Sequence, residues 1–225
     1  MIRTLNIRAA DARELVGQMR SVGRRVRFRT DAKPRDRQPE TELFCLRRYV
    51  ITVAANGGWR FPCTLSMGES PDFMIEFSRD CRGLEVTEAT RPEYQAALTK
   101  AEKAETGFWS FDDGWVGDEP ERAWCAAVIR ATNRKVRKIA QAKYREAGYY
   151  DILIYSNHSS DVVRGHGRRR PEYPLLLQRL RRYAPHWKRI APRLGIVSVI
   201  DGGILLHDIL GKAVLWRLHD LRPVA

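Results

Sequence analysis

The chain has 225 residues, 44% of them hydrophobic, and its 40 lysines and arginines against 27 acidic residues give a formal net charge of +13. This apolar content excludes a disordered chain and is enough for one sizeable core. The excess of positive charge favours a polyanionic partner, nucleic acid before membrane, because each phosphate contact releases counterions.

The first half of the chain predicts two helices, a strand and a hairpin. Apolar residues recur at helical spacing over residues 10–22 and again over 41–58, where the second pattern ends in Asn-Gly-Gly. Residues 23–40 are highly charged and contain two prolines, so a short strand followed by a loop is expected there. The expected strands are 59–67, 72–77 and 83–88, the last two forming a β-hairpin.

The second half alternates helices and strands. Residues 91–119 fit no clear pattern, and a short helix followed by a loop is the best interpretation. A long helix is expected over 120–148, where one row of buried positions recurs in steps of three and four. The remaining expected elements are a buried strand, a second amphipathic helix and a strand pair, over residues 150–156, 171–190, 195–201 and 203–209.

This order predicts an α/β fold with a mixed central sheet flanked by helices. We interpret residues 1–225 as a single domain with a motif-bearing core at about 40–156. A basic segment, 1–39, precedes that core, and a C-terminal helix and strand pair, 172–210, follows it.

Several classes of protein are disfavoured by what the sequence lacks. Four cysteines lie far apart with no C-x-x-C pair, which argues against a zinc knuckle and is typical of reduced core cysteines in the cytoplasm. The N-terminal residues have no long apolar segment, so no signal peptide is expected. No P-loop or G-x-G-x-x-G motif indicates ATP or NAD.

Two carboxylates stand out in the predicted hairpin. Asp72 starts its first strand, and Glu85 lies between two apolar residues in its second, where glutamate is disfavoured without a reason. If both reach the same end of the hairpin, they can bind Mg²⁺, which takes oxygen ligands. The alternative is a structural hairpin in which Asp72 is only a turn residue.

Pro71-Asp72 followed by Glu85-Val86-Thr87, after a helix carrying Glu42 and before a long helix, resembles the PD-(D/E)xK nuclease superfamily. The resemblance implies a restriction-endonuclease-like core and a Mg²⁺ or Mn²⁺ ion bound by Asp72 and Glu85. It also implies hydrolysis of phosphodiester bonds, with Glu42 assisting. Glu40 competes for that role, and Glu42 can instead be a favourable acid in the first turn of a helix.

The sequence departs from the superfamily pattern at Thr87, which occupies the position of the usual lysine. A threonine hydroxyl can orient water but carries no positive charge. Lys143 is the preferred substitute because it extends the inward-facing row of the long helix by four residues. Lys100 and Lys103 are nearer in sequence, and Lys143 can also be an ordinary helix-end lysine whose stem covers apolar surface.

Two arginine-rich runs are candidates for binding phosphates. They contain Arg24, Arg25 and Arg27 in the first run and Arg168, Arg169 and Arg170 in the second. Arginine suits this task because its planar guanidinium makes paired hydrogen bonds to phosphate. Each run can also be a solvated loop.

The sequence therefore predicts a metal-dependent endonuclease acting on DNA, or on RNA, in a bacterial cytoplasm. The absent lysine keeps a second hypothesis open, in which the same fold is a catalytically inactive module that binds nucleic acid or protein. A third hypothesis is an unrelated α/β protein whose acids are structural.

Overall fold

The computed structural model describes residues 5–25, 34–89, 120–144, 146–156, 173–201, 204–209 and 212–217. The described helices are α1 (Ala12–Arg25), α2 (Pro34–Ala55), α3 (Pro120–Ala140) and α4 (Tyr173–Ile190). The described strands are β1 (Asn6–Ala9), β2 (Cys63–Met67), β3 (Phe73–Phe77), β4 (Asp80–Glu88), β5 (Tyr149–Ser156), β6 (Leu194–Asp201), β7 (Ile204–Ile209) and β8 (Lys212–Arg217).

The described strands form one mixed sheet in which spatial order follows chain order, from β1 to β8. The pairs β4–β5 and β5–β6 are parallel, and all the others are antiparallel. Each parallel pair is connected through a helix, α3 for the first and α4 for the second. Because such crossovers are right-handed, two in succession in the same direction place both helices on one face of the sheet.

A separate apolar core lies on each face of the sheet. On one face α1 and α2 pack on the sheet, and Leu153 of β5 belongs to that core. On the other face α3 and α4 pack on the sheet, and Ile152 and Ile154 of the same strand belong to the second core. The alternation along β5 is the expected result of successive side chains pointing to opposite faces. The fold is therefore an α/β sandwich, as the sequence predicts.

Two helices end in the same way with different residues. Gly57 follows α2 with φ 71°, and the N–H groups of Gly58 and Gly57 donate to the carbonyls of Val53 and Ala54 at 2.9 and 3.1 Å. This is a Schellman motif, and the glycine stop expected from the sequence is confirmed. Ala142 follows α3 with φ 51° and makes the equivalent bonds. The helix therefore ends at Ala140, and its predicted extension to residue 148 is wrong.

Two other expectations about the elements are wrong or incomplete, and a third concerns residues that the structure does not describe. Helix α2 begins at Pro34, so the loop predicted over residues 34–40 is wrong. Proline suits the first turn of a helix, because the N–H that it lacks would have no hydrogen-bond partner within the helix there. Strands β1 and β8 extend the sheet at its two edges beyond the predicted strands. Residues 91–119 lie outside the described part of the chain.

Among the described helices, none has the length and apolar character to cross a membrane.

Candidate active site

The candidate site lies where β3 stops pairing with β4. The last registered pair of the two strands is Phe73 with Leu84, whereas β4 continues to Glu88 beside β5. Beyond Leu84 the N–H of Val86 donates to the Oδ2 of Asp72 at 2.7 Å. The Asp72 side chain thus satisfies a donor that a neighbouring strand would otherwise pair. This bond fixes Asp72 beside the second half of β4.

Gly83 allows the chain that carries Asp72 to lie close to β4. A Cβ atom at Gly83 would be 2.7 Å from Pro71 Cγ and 2.8 Å from Tyr150 Cδ1. Both neighbours are rigid rings, and Pro71 and Tyr150 are buried. A side chain at this position would displace the residue that immediately precedes Asp72.

Glu85 projects from β4 on the face covered by α3. Its neighbours Leu84 and Val86 belong to the core on the opposite face, so alternation places Glu85 towards α3. The residue is 2% exposed. Lys135 of α3 donates from its Nζ to Glu85 Oε2, and both side chains are largely buried. A buried carboxylate needs such a partner, because taking an unpaired charge out of water costs several kcal/mol.

The carboxylates at the site repel one another. Burial, the nearby Glu85 carboxylate and then the Glu42 carboxylate raise the pKa of Asp72 to about 7, while Lys135 and the Val86 N–H oppose the rise. Asp72, which precedes β3, therefore lies within electrostatic reach of Glu85 of β4 and of Glu42 of α2. Each of the other two acids singled out in the sequence thus acts on Asp72, and the structure adds one cation, Lys135.

Tyr144 adds a buried hydroxyl beside Glu85. Its ring centroid lies 5.5 Å from that of Tyr150, and the Glu85 and Asp72 carboxylates add to the effect of burial in raising the pKa of the phenol. The hydroxyl is buried and makes no close hydrogen bond to a described residue, and the Glu85 carboxylate is the acceptor that acts on it. Tyr144 is therefore a second polar neighbour of Glu85, beside Lys135.

The residues expected to replace the missing lysine lie in different places. Thr87 is half-buried and follows Glu85 by two residues, so it faces α3 as well. Lys143 is exposed, and its predicted place in the buried row of α3 is wrong, because the helix ends at Ala140 and the chain turns at Ala142. Lys135, two turns earlier, reaches Glu85 instead. Lys100 and Lys103 lie outside the described residues.

The sequence indicates Lys135 only when a second row of buried positions on α3 is considered beside the predicted one. Ala127 and Ala131 are buried, and Lys135 continues their row by a step of four. This row runs beside the one formed by Val136 and Ile139. A lysine in a buried row, opposite a glutamate in a strand interior, indicates an ion pair across the helix–sheet interface. Nothing in the local pattern around Tyr144 indicates its role.

The arginine-rich runs cannot be placed at the site. Arg24 and Arg25 belong to the last turn of α1, but their side chains lie outside the description. Arg27, the run Arg168–Arg170 and the side chain of Glu40 also lie outside it.

The two carboxylates suit a metal ion whose remaining ligands come from water and from the substrate. Within the described part of the chain, no group of three or more His, Cys, Asp and Glu side chains is arranged to hold a metal. Asp72 and Glu85 supply two carboxylates, and Mg²⁺ is commonly held by one or two carboxylates with water and substrate phosphate completing its shell. Burial and the nearby Glu85 and Glu42 carboxylates raise the pKa of Asp72, and a cation bound there would relieve the repulsion between these acids and Asp72.

Comparison of the chain with family models, with curated proteins and with solved structures gave no match.

Proposed function

We propose that the protein is a Mg²⁺-dependent nuclease of the PD-(D/E)xK type, hydrolysing phosphodiester bonds in DNA, with Lys135 in place of the usual lysine. The contact of Lys135 Nζ with Glu85 beside Asp72 carries this proposal. It supplies the acid–acid–lysine combination that Thr87 leaves incomplete. The succession α2, β2, β3, β4, α3, β5 supports a restriction-endonuclease-like core.

Each side chain has a separate task in this reaction. Asp72 and Glu85 would hold the ion, which would neutralise charge on the scissile phosphate and acidify a water. Lys135 places a positive charge beside Glu85, where it can orient the attacking water and attract a phosphate oxygen. Glu42 adds negative charge near Asp72 and strengthens the preference for a cation. In the hydrolysis the water oxygen forms a new P–O bond as the ester P–O bond breaks, and the leaving alkoxide takes up one proton for the one that the water releases.

Cleavage of labelled single-stranded, duplex and branched DNA tests the proposal in Mg²⁺, in Mn²⁺ and in a chelator, with RNA as a further substrate. We expect metal-dependent cleavage by the wild type and its loss in Asp72→Asn and Glu85→Gln. Both substitutions keep the shape of the side chain and remove a charged metal ligand. A rate loss of about 10²-fold or more is the expected size, since charge-stabilising groups in active sites contribute that much.

Lys135→Met and Lys143→Met form a matched pair of variants. Each loses one positive charge, but only Lys135 contacts Glu85, so we expect cleavage to fall in Lys135→Met and to be retained in Lys143→Met. Circular dichroism shows whether each variant is folded, because Lys135→Met leaves Glu85 unpaired. Should folding fail, the double variant Lys135→Met with Glu85→Gln restores neutrality for the structural comparison. Equal activity in the two single variants would contradict the role given to Lys135.

A catalytically inactive nucleic-acid-binding module is the second candidate. One observation favours it: Lys135 already neutralises Glu85, so the pair is electrostatically satisfied without a metal. A wild type that binds DNA but cleaves none of these substrates in Mg²⁺ or Mn²⁺ would establish this function in place of the first.

A further inference from the structure

Helices α3 and α4 form a layer whose outer surface is basic. From Arg122 to Tyr144 the sequence of α3 and its following turn contains no acidic residue, and neither does α4 from Pro174 to Ile190. Their inner surfaces bury the core that includes Trp124, Val128, Leu176 and Leu180. Between these residues, every charged side chain of the layer is therefore positive.

The exposed cations form a row on each helix. On α3 the row consists of Arg130, Arg134, Arg137 and Lys138, which recur at steps of three and four and are exposed. On α4 it consists of Arg181, Arg182 and Arg189, also exposed. Lys135 of α3 pairs with Glu85 in the interior, and Arg193 pairs with Glu146 at 3.8 Å beyond the ends of the two helices. None of the seven row residues has a described acidic partner.

The two rows have a fixed separation because the helices are joined. Trp187 of α4, which is buried, donates from its Nε1 to Asn133 Oδ1 of α3 at 2.7 Å. Packed helices lie about 8–10 Å apart, and eight residues of a helix span about 12 Å. Duplex DNA carries one negative charge about every 1.7 Å along its axis, so such a strip can meet several phosphates.

We propose that the outer surface of α3 and α4 binds the phosphate backbone of nucleic acid. The proposal rests on the proposed function only for the identity of the polymer, and binding does not require cleavage. Lys135 connects the surface to the site, because it lies next to Arg134 on α3 and contacts Glu85.

An anionic membrane surface is the competing partner. Helices that bind membranes insert an apolar face between the lipid headgroups. In α3 and α4 the apolar faces are buried against the sheet, and Ile190 is the one large apolar residue exposed on these two described helices. The outer surface therefore offers positive charge without an apolar face to insert between lipids, which favours a flexible or helical polyphosphate over a bilayer.

The test compares two variants that lose three charges each. In the surface variant Arg130, Arg134 and Arg181 are all changed to Gln; in the control variant Arg13, Arg60 and Arg79, exposed elsewhere, are changed to Gln. Affinity for fluorescently labelled duplex DNA is measured against salt concentration in a chelator, so that no cleavage occurs. Each lost phosphate contact should reduce the slope of log affinity against log salt by about 0.9.

We expect the surface variant to lose about two to three units of slope and at least about tenfold in affinity at 0.1 M salt, and the control variant to lose much less. A third variant with Arg130, Arg134 and Arg181 changed to Lys keeps the charge and should keep the slope, which separates charge from misfolding.

Equal losses in the surface and control variants, no loss in either, or no binding of DNA by the wild type would each overturn the proposal. So would a surface variant that binds DNA normally but no longer binds vesicles containing phosphatidylserine. Binding that depends on the surface without any metal-dependent cleavage would leave this proposal standing and remove the proposed nuclease function.

Discussion

Asp72 is held where its negative charge destabilises the folded chain. Burial and two nearby carboxylates raise its pKa to about 7, well above the value near 3.9 of an exposed aspartate. Between these two values the folded protein retains a proton that the unfolded chain has released. Stability therefore falls as the pH rises from about 4 to about 7, by roughly 3–4 kcal/mol as an upper bound. Strain of this kind is common where function needs a charge in an unfavourable place.

Asp72→Asn should remove this pH dependence. Asparagine can still accept the Val86 N–H bond, and it has no charge to lose or gain. In a chelator we expect the variant to be more stable than the wild type above pH 7 and its advantage to shrink towards pH 4. Urea unfolding at several pH values measures the difference. A difference that stays constant from pH 4 to pH 8 would contradict the electrostatic account of Asp72.

At the scale of elements, the placement of Asp72 depends on how closely the segment before β3 approaches β4. Gly83 provides that close approach, since a Cβ atom there would be less than 3 Å from Pro71 and from Tyr150. Gly83→Ala should therefore cost about 1–3 kcal/mol, as overpacking in a rigid core usually does. It should also weaken metal-dependent cleavage, because Pro71 moves and Asp72 moves with it.

Gly17→Ala is the matched control for Gly83→Ala. Gly17 lies on α1, and a Cβ atom there meets no atom within 4 Å. Alanine in an exposed helix is favoured over glycine by about 1 kcal/mol, so this variant should be slightly more stable than the wild type with unchanged cleavage. Thermal unfolding and cleavage rates of both variants decide the matter. If Gly83→Ala matched Gly17→Ala in both, the close approach would not position Asp72.

The two Schellman motifs differ in whether the sequence marks the end of the helix. Gly57 takes the left-handed conformation at little cost, and the sequence marks the end of α2 with it. Ala142 takes the same conformation after α3, where nothing in its side chain favours it. The end of α3 depends on tertiary packing, so the sequence pattern predicted a helix eight residues too long. That error placed Lys143 in the site instead of Lys135.

Other elements differ in how well their residues reveal them. The hairpin of β3 and β4 and the buried strand β5 were predictable because their apolar residues and turn signals agree. Strand β1 has four residues, too few for alternation to stand out. That Glu85 has a specific partner was predictable, because a glutamate in a strand interior needs a reason. Its partner Lys135 was not predicted because the pairing crosses from sheet to helix over 50 residues.

At the scale of the whole molecule, the candidate site lies where the pairing of the sheet changes. To one side of β4 the strands are antiparallel, and to the other side β4, β5 and β6 are parallel. The antiparallel partner ends at Phe73, which leaves the second half of β4 open on that side apart from Asp72. Glu85 is buried within β4 under α3, and Asp72 occupies the opened edge beside it.

His207 makes the stability of the whole fold sensitive to acid. It lies on β7, is 2% exposed, and its Nδ1 is 2.9 Å from Ser198 Oγ of β6, while the Tyr49 ring of α2 lies 5.8 Å away. Burial, and then the positive charge of Arg82, lower the pKa of His207 to about 4. The histidine is therefore neutral in the folded protein at a pH where the unfolded chain protonates it.

The sign of the effect follows from proton counts. Between about pH 6.5 and pH 4 the unfolded chain binds a proton at His207 and the folded chain does not, so acid favours unfolding. From pH 7.5 to pH 5 this histidine should cost the wild type about 2 kcal/mol. Asp72 acts in the opposite direction over much of this range, so the overall pH dependence of the wild type does not isolate His207.

His207→Asn isolates the contribution of the histidine. The variant loses packing and is less stable at pH 7.5, but it has no group to protonate, so its deficit relative to the wild type should shrink by about 2 kcal/mol at pH 5. Gln178→Asn, at an exposed position on α4, is the control, because it carries no titratable group and its difference from the wild type should be the same at both pH values. Urea unfolding of the three proteins at pH 5 and pH 7.5 provides the comparison. A deficit of equal size at both pH values would mean that His207 titrates in the folded protein as it does in the unfolded chain.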